Sequence, residues 1–296
     1  MTSAADSSAS ASGALLTGEF AFTDANFREI ARIAKAEAGI DLPQSKATLV
    51  YSRLAKRLRA LGIRSFSDYC TTVRENDDER NSMIAALTTN VTRFFREPHH
   101  FEHLRKSIIE PIAESARRGN RVRLWSAACS TGQEPYSMAL TVLSVIPEAA
   151  SLDVRILATD LNPHVVAHGR RGCYQKEEVA DVPAGLRSSW FGPDPENPGG
   201  STLRVDDDVR SLISFQELNL MGAWRFKGPF DAIFCRNVVI YFDRETQNTV
   251  WSRLTSLLKE NGALYIGHSE RVAGQATALL TTDGITTYRK KNGRPS

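Results

Sequence analysis

The stretch Arg123-Leu124-Trp125-Ser126-Ala127-Ala128-Cys129-Ser130-Thr131-Gly132-Gln133-Glu134-Pro135-Tyr136-Ser137-Met138 decides the fold. Val122, Leu124 and Trp125 supply a buried strand, and Ser130, Thr131 and Gly132 supply a tight turn. Pro135 suits the first turn of a helix, where its missing N–H costs nothing. Tyr136, Met138, Leu140, Val142 and Leu143 carry that helix on. A strand-turn-helix opening an alternating β/α chain is where doubly wound sheets bind nucleotide-like ligands. The turn has one glycine, not the three of G-x-G-x-x-G, which argues against a pyrophosphate cradle and for a cofactor without phosphates. Glu134 sits where a carboxylate can face such a ligand.

Downstream the alternation continues. The second strand, Val154–Asp160, ends in an acid placed to bind the two hydroxyls of a ribose. Asn162 with Pro163 caps the next helix, which leaves Asp160 for the ligand. Residues 172–211 break the pattern with Pro183, Gly185, Gly192-Pro193, Pro195 and Pro198-Gly199-Gly200. With β-like pieces at Thr202–Val205 and Leu212–Phe215, this predicts a loop-rich insertion holding a small antiparallel sheet. Leu212–Leu220 returns the chain to the main sheet, with Asn219 at its C-terminal, ligand-bearing edge. Phe230–Phe242 gives another strand and a polar turn at Arg236-Asn237. A helix opening at Asp243 and ending at Asn261-Gly262 follows, then a strand Ala263–Gly267 with His268-Ser269-Glu270 at its end, and a closing strand Thr286–Lys290. His268 reads as a structural group, because spacing offers it no catalytic partner.

Upstream, residues 1–18 are mostly Ser, Ala, Thr and Gly and read as a disordered leader. Residues 19–95 read as an all-helical domain with no strand signal. One helix, capped at Thr23 or Asp24 and ended by Gly39, carries Phe27, Ile30, Ile33 and Ala34. A second, from Lys46 to Ala60, has the apolar stripe Val50, Leu54, Leu58 and Leu61. Lys46, Arg53, Lys56, Arg57 and Arg59 face no acid within that helix. A solvated face and a docking surface for an acidic partner both fit, and the one-sided charge favours docking. Leu87–Phe101 mixes hydrogen-bonding groups with aromatics, as an inter-domain loop or a lid over a ligand would. His99-His100 is followed by no third ligand at useful spacing, so no metal is expected. Residues 96–120 read as a linker helix, 121–291 as the β/α domain and 292–296 as a tail.

The chain of 296 residues carries 37 basic and 34 acidic residues, a net charge of +3, too balanced for a dedicated nucleic-acid binder. Cys70, Cys129, Cys173 and Cys235 form no C-x-x-C, which fits reduced thiols in a cytoplasmic protein. No apolar run approaches the ~20 residues of a membrane span, and the N-terminus lacks a signal-peptide pattern.

Several collinear motifs resemble the chemotaxis receptor methyltransferases (CheR). They are Leu87–Phe101 (LTTNVTRFFREPHHF), Trp125–Ser137 (WSAACSTGQEPYS), Ala158–Asp160 with Asn162, Phe230–Phe242 (FDAIFCRNVVIYF) and Gly267–Glu270 (GHSE), joined by Tyr51–Gly62 in the helical segment. The resemblance runs from about residue 20 to 290. It implies an α/β fold: a small all-helical domain, then a doubly wound class I S-adenosylmethionine-dependent methyltransferase domain with the inserted antiparallel β-subdomain. It implies S-adenosyl-L-methionine as donor, S-adenosyl-L-homocysteine as product, and glutamate side chains of chemoreceptor cytoplasmic helices as acceptors. It places Asn90, Thr92, Arg96, Glu134, Asp160, Asn219, Leu220, Arg236 and Asn237 at the cofactor. In some members the β-subdomain holds a receptor's C-terminal tail peptide.

The chemistry suits these residue types. A glutamate carboxylate, with a pKa of about 4.3, is already ionised at neutral pH, so no general base is required. Alignment of the reactants, which alone can be worth roughly 7–11 kcal/mol, does the work instead. Arg96 is a candidate to orient a carboxylate, the cofactor's or the substrate's. Tyr241 is a candidate for a hydrogen bond near the reacting groups or, equally, a packed aromatic. Under this reading Arg53, Lys56, Arg57 and Arg59 steer acidic receptor helices. The competing readings are a methyltransferase of RNA or a small molecule, a non-catalytic donor-binding module, and, last, an NAD enzyme, which the missing glycines disfavour.

Overall fold

The computed structural model describes residues 14–16 and 18–293. Most of the expected leader, and the tail from residue 294 on, lie outside the described residues. The chain divides into two compact units between Thr88 and Thr89.

In the first unit, β1 (Ala14–Leu16) pairs antiparallel with β2 (Phe22–Thr23). Four helices follow, α1 (Asp24–Ala38), α2 (Ala47–Leu61), α3 (Phe66–Glu75) and α4 (Asp77–Leu87). The short ladder departs from the all-helical expectation. It draws Ala14–Leu16 out of the expected leader, and Phe22 beside it is buried against Phe27, Tyr51 and Phe66. The helix boundaries have local causes. Thr23 and Asn26 form a reciprocal capping box at α1. Ser65 and Asn76 cap α3 and α4. Gly39 and Gly62 close α1 and α2 at φ 71° and 67°.

The second unit opens with a continuous helical stretch, α5 (Pro98–His103), a π-helical turn Leu104–Ile109, and α6 (Glu110–Arg117). Pro111 has no N–H to offer the preceding turn, which accounts for the local widening. The sequence reading takes 96–120 as a linker. The structure corrects this: Phe101, Leu104, Ile108 and Ile109 are buried in the core of the second unit.

Next come β3 (Val122–Ser126), α7 (Gln133–Leu143), β4 (Val154–Asp160) and α8 (Pro163–Arg171). The insertion holds β5 (Cys173–Gln175), α9 (Ala184–Trp190), β6 (Phe191–Pro193), β7 (Thr202–Val205) and α10 (Asp207–Ser211). Its three strands form a separate antiparallel sheet in the order β5-β7-β6. The chain returns through β8 (Ile213–Glu217), β9 (Phe230–Cys235), α11 (Arg244–Ser256), β10 (Leu258–Ile266), α12 (Ala276–Leu279), β11 (Leu280–Gly284) and β12 (Thr287–Lys290).

The main sheet has seven strands in the order β11-β12-β10-β9-β3-β4-β8, with β12 antiparallel to both its neighbours and the other neighbouring pairs parallel. The direction of winding reverses between β3 and β9, which puts the ligand crevice at their C-terminal ends. Every residue of β9 is buried, as a central strand covered on both faces requires. Two departures from the sequence reading lie here. Helix α11 stops at Ser256, and Asn261-Gly262 sits in an irregularity of β10, where Asn261 takes φ 61°. Strand β11 was not expected; four of its five residues are exposed, so no apolar pattern marks it.

Candidate functional site

The turn after β3 is fixed by its own backbone and by the strand beside it. Ser130 and Gly132 have φ 48° and 100°. A Cβ on Gly132 would stand 2.7 Å from the Tyr174 hydroxyl and 2.9 Å from the Gly169 Cα, so only glycine fits. The Ser130 N–H donates to the Asp160 carboxylate at 2.8 Å, and the Asn162 N–H donates to its other oxygen at 3.0 Å. Burial pushes the Asp160 carboxyl above the usual range, and these backbone donors pull it back. A carboxylate has about four acceptor positions, so Asp160 keeps capacity for ribose hydroxyls.

At the first turn of α7, Glu134 accepts from the Ser126 hydroxyl at 2.7 Å and from Arg236 Nη1 at 3.0 Å. Burial raises the Glu134 carboxyl, with Arg236 and Ser126 acting downward. The Arg236 side chain is only 2% exposed and also donates to the Arg96 carbonyl. It comes from the turn after β9, so Glu134 and Arg236 bridge the two strands at the winding reversal.

That second turn has an anchor. Glu270 accepts four backbone N–H groups, from Gly267 (2.6 Å) and Asn237 (3.0 Å) on one oxygen, and from Val238 (3.0 Å) and Val239 (2.9 Å) on the other. Asn237 takes φ 58°, and a Cβ on Gly267 would stand 2.8 Å from its backbone nitrogen. Sequence reading quoted Glu270 within GHSE and gave it no role. An acid three residues past a strand end was its only signal.

The segment 89–97 is tied down through its main chain. The Ser130 hydroxyl donates to the Asn90 carbonyl at 2.9 Å, and the Phe95 N–H donates to the Ser137 hydroxyl at 2.9 Å. The half-buried Arg96 guanidinium donates to the Val91 carbonyl at 3.0 Å. Thr92 lies partly buried in the same segment. Asn219 and the buried Leu220 lie just past β8, where the Asn219 side chain accepts from the Met221 N–H at 2.9 Å. A groove of 440 Å³ opens there, lined by Glu217, Leu218, Asn219, Arg225 and Phe226 among others. Tyr241 is 37% exposed at the end of the short turn Val239–Tyr241.

Asn90, Glu134, Asp160, Arg236 and Asn237 therefore gather around the ends of β3, β4 and β9, with Asn219 and Leu220 past β8. The donor set fits a nucleoside with a charged amino-acid tail: an acid at the ribose position, a single-glycine turn, and a buried acid–base pair beside it.

Three of the four basic residues of α2 have partners within their own unit. Arg53 donates to the Leu87 and Thr88 carbonyls at 2.6 and 2.9 Å, closing the end of α4. Arg57 pairs with the buried Glu79, which also accepts from the Tyr69 hydroxyl at 2.7 Å. Arg59 pairs with Glu19 at 2.7 Å. Lys56 is exposed. Arg53 and Arg57 thus carry structure, which qualifies the docking role expected of them.

Sequence spacing left His99-His100 without a third ligand. The structure brings one from the other side: Glu97, at φ 60°, begins α5 and places its carboxylate beside both rings. This corrects the reasoning by which no metal was expected.

Two family descriptions match the chain, "CheR methyltransferase, all-alpha domain" over residues 25–88 and "CheR methyltransferase, SAM binding domain" over residues 90–288. The chain belongs to the CheR methyltransferase family. It is 52% identical over 256 residues to a probable chemotaxis protein methyltransferase of Rhizobium etli, covering 86% of this chain and 95% of the relative. It is 39% identical to chemotaxis protein methyltransferase 2 of Pseudomonas aeruginosa (91% and 94% covered). It is 38% identical to the chemotaxis protein methyltransferase of Escherichia coli (92% and 93% covered). This CheR protein is thus a methyltransferase that uses S-adenosylmethionine and acts in chemotaxis. Its fold is the class I methyltransferase sheet with an all-helical-type N-terminal unit. None of its described helices is long and apolar enough to cross a membrane.

Proposed function

We propose that this CheR protein esterifies glutamate side chains on the cytoplasmic helices of chemoreceptors, giving glutamyl methyl esters and S-adenosylhomocysteine, and that it works in the cytoplasm. The observation that carries this is the convergence of Asp160 and the Glu134–Arg236 pair at the winding reversal of a family-matched chain.

The donor supplies an electrophilic methyl group on a sulfonium. The chain's own residues bind and orient. Asp160 would accept the ribose hydroxyls, and Asn219 borders the groove for the base, with the buried Leu220 next to it in sequence. Arg236 presents positive charge that Glu134 balances. The acceptor carboxylate arrives ionised, so no proton has to move. Arg96, held by one contact to the Val91 carbonyl, has donors left to aim a carboxylate without gripping it tightly. Tyr241, exposed at the end of a short turn after β9, is suited to hydrogen bonding at the acceptor. Lys56, with Arg53, Arg57 and Arg59 around it, is proposed to steer acidic receptor helices. In the small sheet, β5 and β6 are edge strands, the kind of edge a receptor tail peptide could extend.

The test uses donor labelled on its methyl group and membranes bearing the host's chemoreceptors. Protein-bound label released as methanol by mild base supports carboxyl methyl esters. Label stable to base would move the acceptor to nitrogen or sulfur and overturn the proposal.

A further inference from the structure

We infer that Glu97, His99 and His100 form a binding site for a divalent transition metal of the zinc class. The inference does not depend on the acceptor assigned above. One Glu97 oxygen, the His99 ring and the His100 ring offer ligand atoms that all lie within 4.8 Å of one another.

Three observations point to a cation. First, the Glu97 carboxylate is buried and neither of its oxygens has a hydrogen bond. Burying such a group unsatisfied is costly. Second, His100 is fully buried, with its Nδ1 also unpartnered. Its Nε2 is held from the far side by the Thr286 hydroxyl at 2.8 Å and the Ile285 carbonyl at 3.2 Å, which leaves Nδ1 facing Glu97 Oε2 at 3.5 Å. Third, the His100 Nδ1–Glu97 Oε2 separation of 3.5 Å is close to the about 3.4 Å between ligand atoms that each stand about 2.05 Å from a tetrahedral zinc.

The surroundings are those of a metal-binding histidine, whose second nitrogen is ordinarily held by a carbonyl or carboxylate. His99 is exposed and can turn in, and His268 Nδ1 stands 3.6 Å from the other Glu97 oxygen, Oε1. Arg236 does not fill the place. Its Nη1 is on Glu134 and its Nη2 on the Arg96 carbonyl, which leaves Glu97 at 3.5 Å. Two imidazoles favour zinc, cobalt, nickel or copper over magnesium or calcium.

The probe is cobalt(II), titrated into the untagged full chain at neutral pH and followed by visible absorption. The expected result is a saturable, one-equivalent ligand-field band without thiolate-to-cobalt charge transfer. His99→Ala, at an exposed position, and Glu97→Gln should each weaken binding about 10-fold or more. Zinc should displace the band. No band beyond that of the aquated ion, an unchanged titration in His99→Ala, or a thiolate charge-transfer band from Cys173 would each overturn the inference.

Discussion

Replacing Glu270 with glutamine tests whether one buried carboxylate sets the geometry of the cofactor turn. Glutamine keeps the shape of the side chain but turns one oxygen into an NH2 donor. Two of the four backbone N–H groups that now meet a carboxylate then face another donor. Hydrogen bonds to a charged acceptor are worth roughly 1.5–3 kcal/mol each, so the loss is roughly 3–6 kcal/mol. That is a large share of the ~5–15 kcal/mol that holds a typical domain folded. The two remaining bonds weaken as well, because their acceptor is no longer charged. Urea denaturation reads the stability, and calorimetric titration with S-adenosylhomocysteine reads the site. Arg236 and Asn237 sit on the turn that Glu270 holds, so affinity should fall at least tenfold, about 1.4 kcal/mol. A Glu270→Gln protein within about 1 kcal/mol of the parent in stability and unchanged in affinity would refute the anchoring role.

Asp160→Ala should abolish S-adenosylhomocysteine binding in the calorimeter, and parental affinity would show the ribose assignment to be wrong. Arg57→Ala should cost on the order of 3 kcal/mol in chemical denaturation, because Glu79 stays buried without its cation. Lys56→Glu should leave that stability within about 0.5 kcal/mol while lowering receptor methylation several-fold at low salt, with the deficit shrinking as salt rises. Equal loss of stability in both variants would remove the distinction. Burial and Arg171 lower the pKa of His168 in the folded state. The unfolded chain therefore takes up that proton first, and stability should fall as pH drops below about 6.5. Denaturation midpoints between pH 7 and 5 should flatten in His168→Gln, and an unaltered profile would contradict this.

Much of the fold was legible because its signals are local. Gly39 ends α1 where an L residue would be strained, and Asn162-Pro163 opens α8 with a capping hydrogen bond of 3.0 Å to His164. The strand β4 stands where its apolar run ends in Asp160. What escaped the sequence was decided by contacts between distant residues. Asn261-Gly262 reads as a helix stop, yet the same left-handed preference serves a bulge in β10, and only pairing with β9 and β12 chooses between them. Charge patterning made Arg53 and Arg57 look like one open basic face, but carbonyls at the end of α4 and a buried glutamate claim them. Glu97 escaped for a backbone reason. Its left-handed φ turns the carboxylate back onto the two rings that follow it, a geometry that residue spacing does not encode.

The tethers on segment 89–97 fall on peptide groups, namely the Asn90 carbonyl, the Phe95 amide and the Arg96 carbonyl. Any residue supplies those atoms. The side chains that also hold the path are the buried Phe94 and Arg96, whose guanidinium takes the Val91 carbonyl, whereas Val91, 78% exposed, and Arg93, exposed and paired with Asp181 at 3.1 Å, lie on the outside of this rail. For protein engineering this separates two tasks that active-site loops usually confound. A library randomised at 91 and 93 can search for altered acceptor choice while the donor pocket beneath keeps its shape.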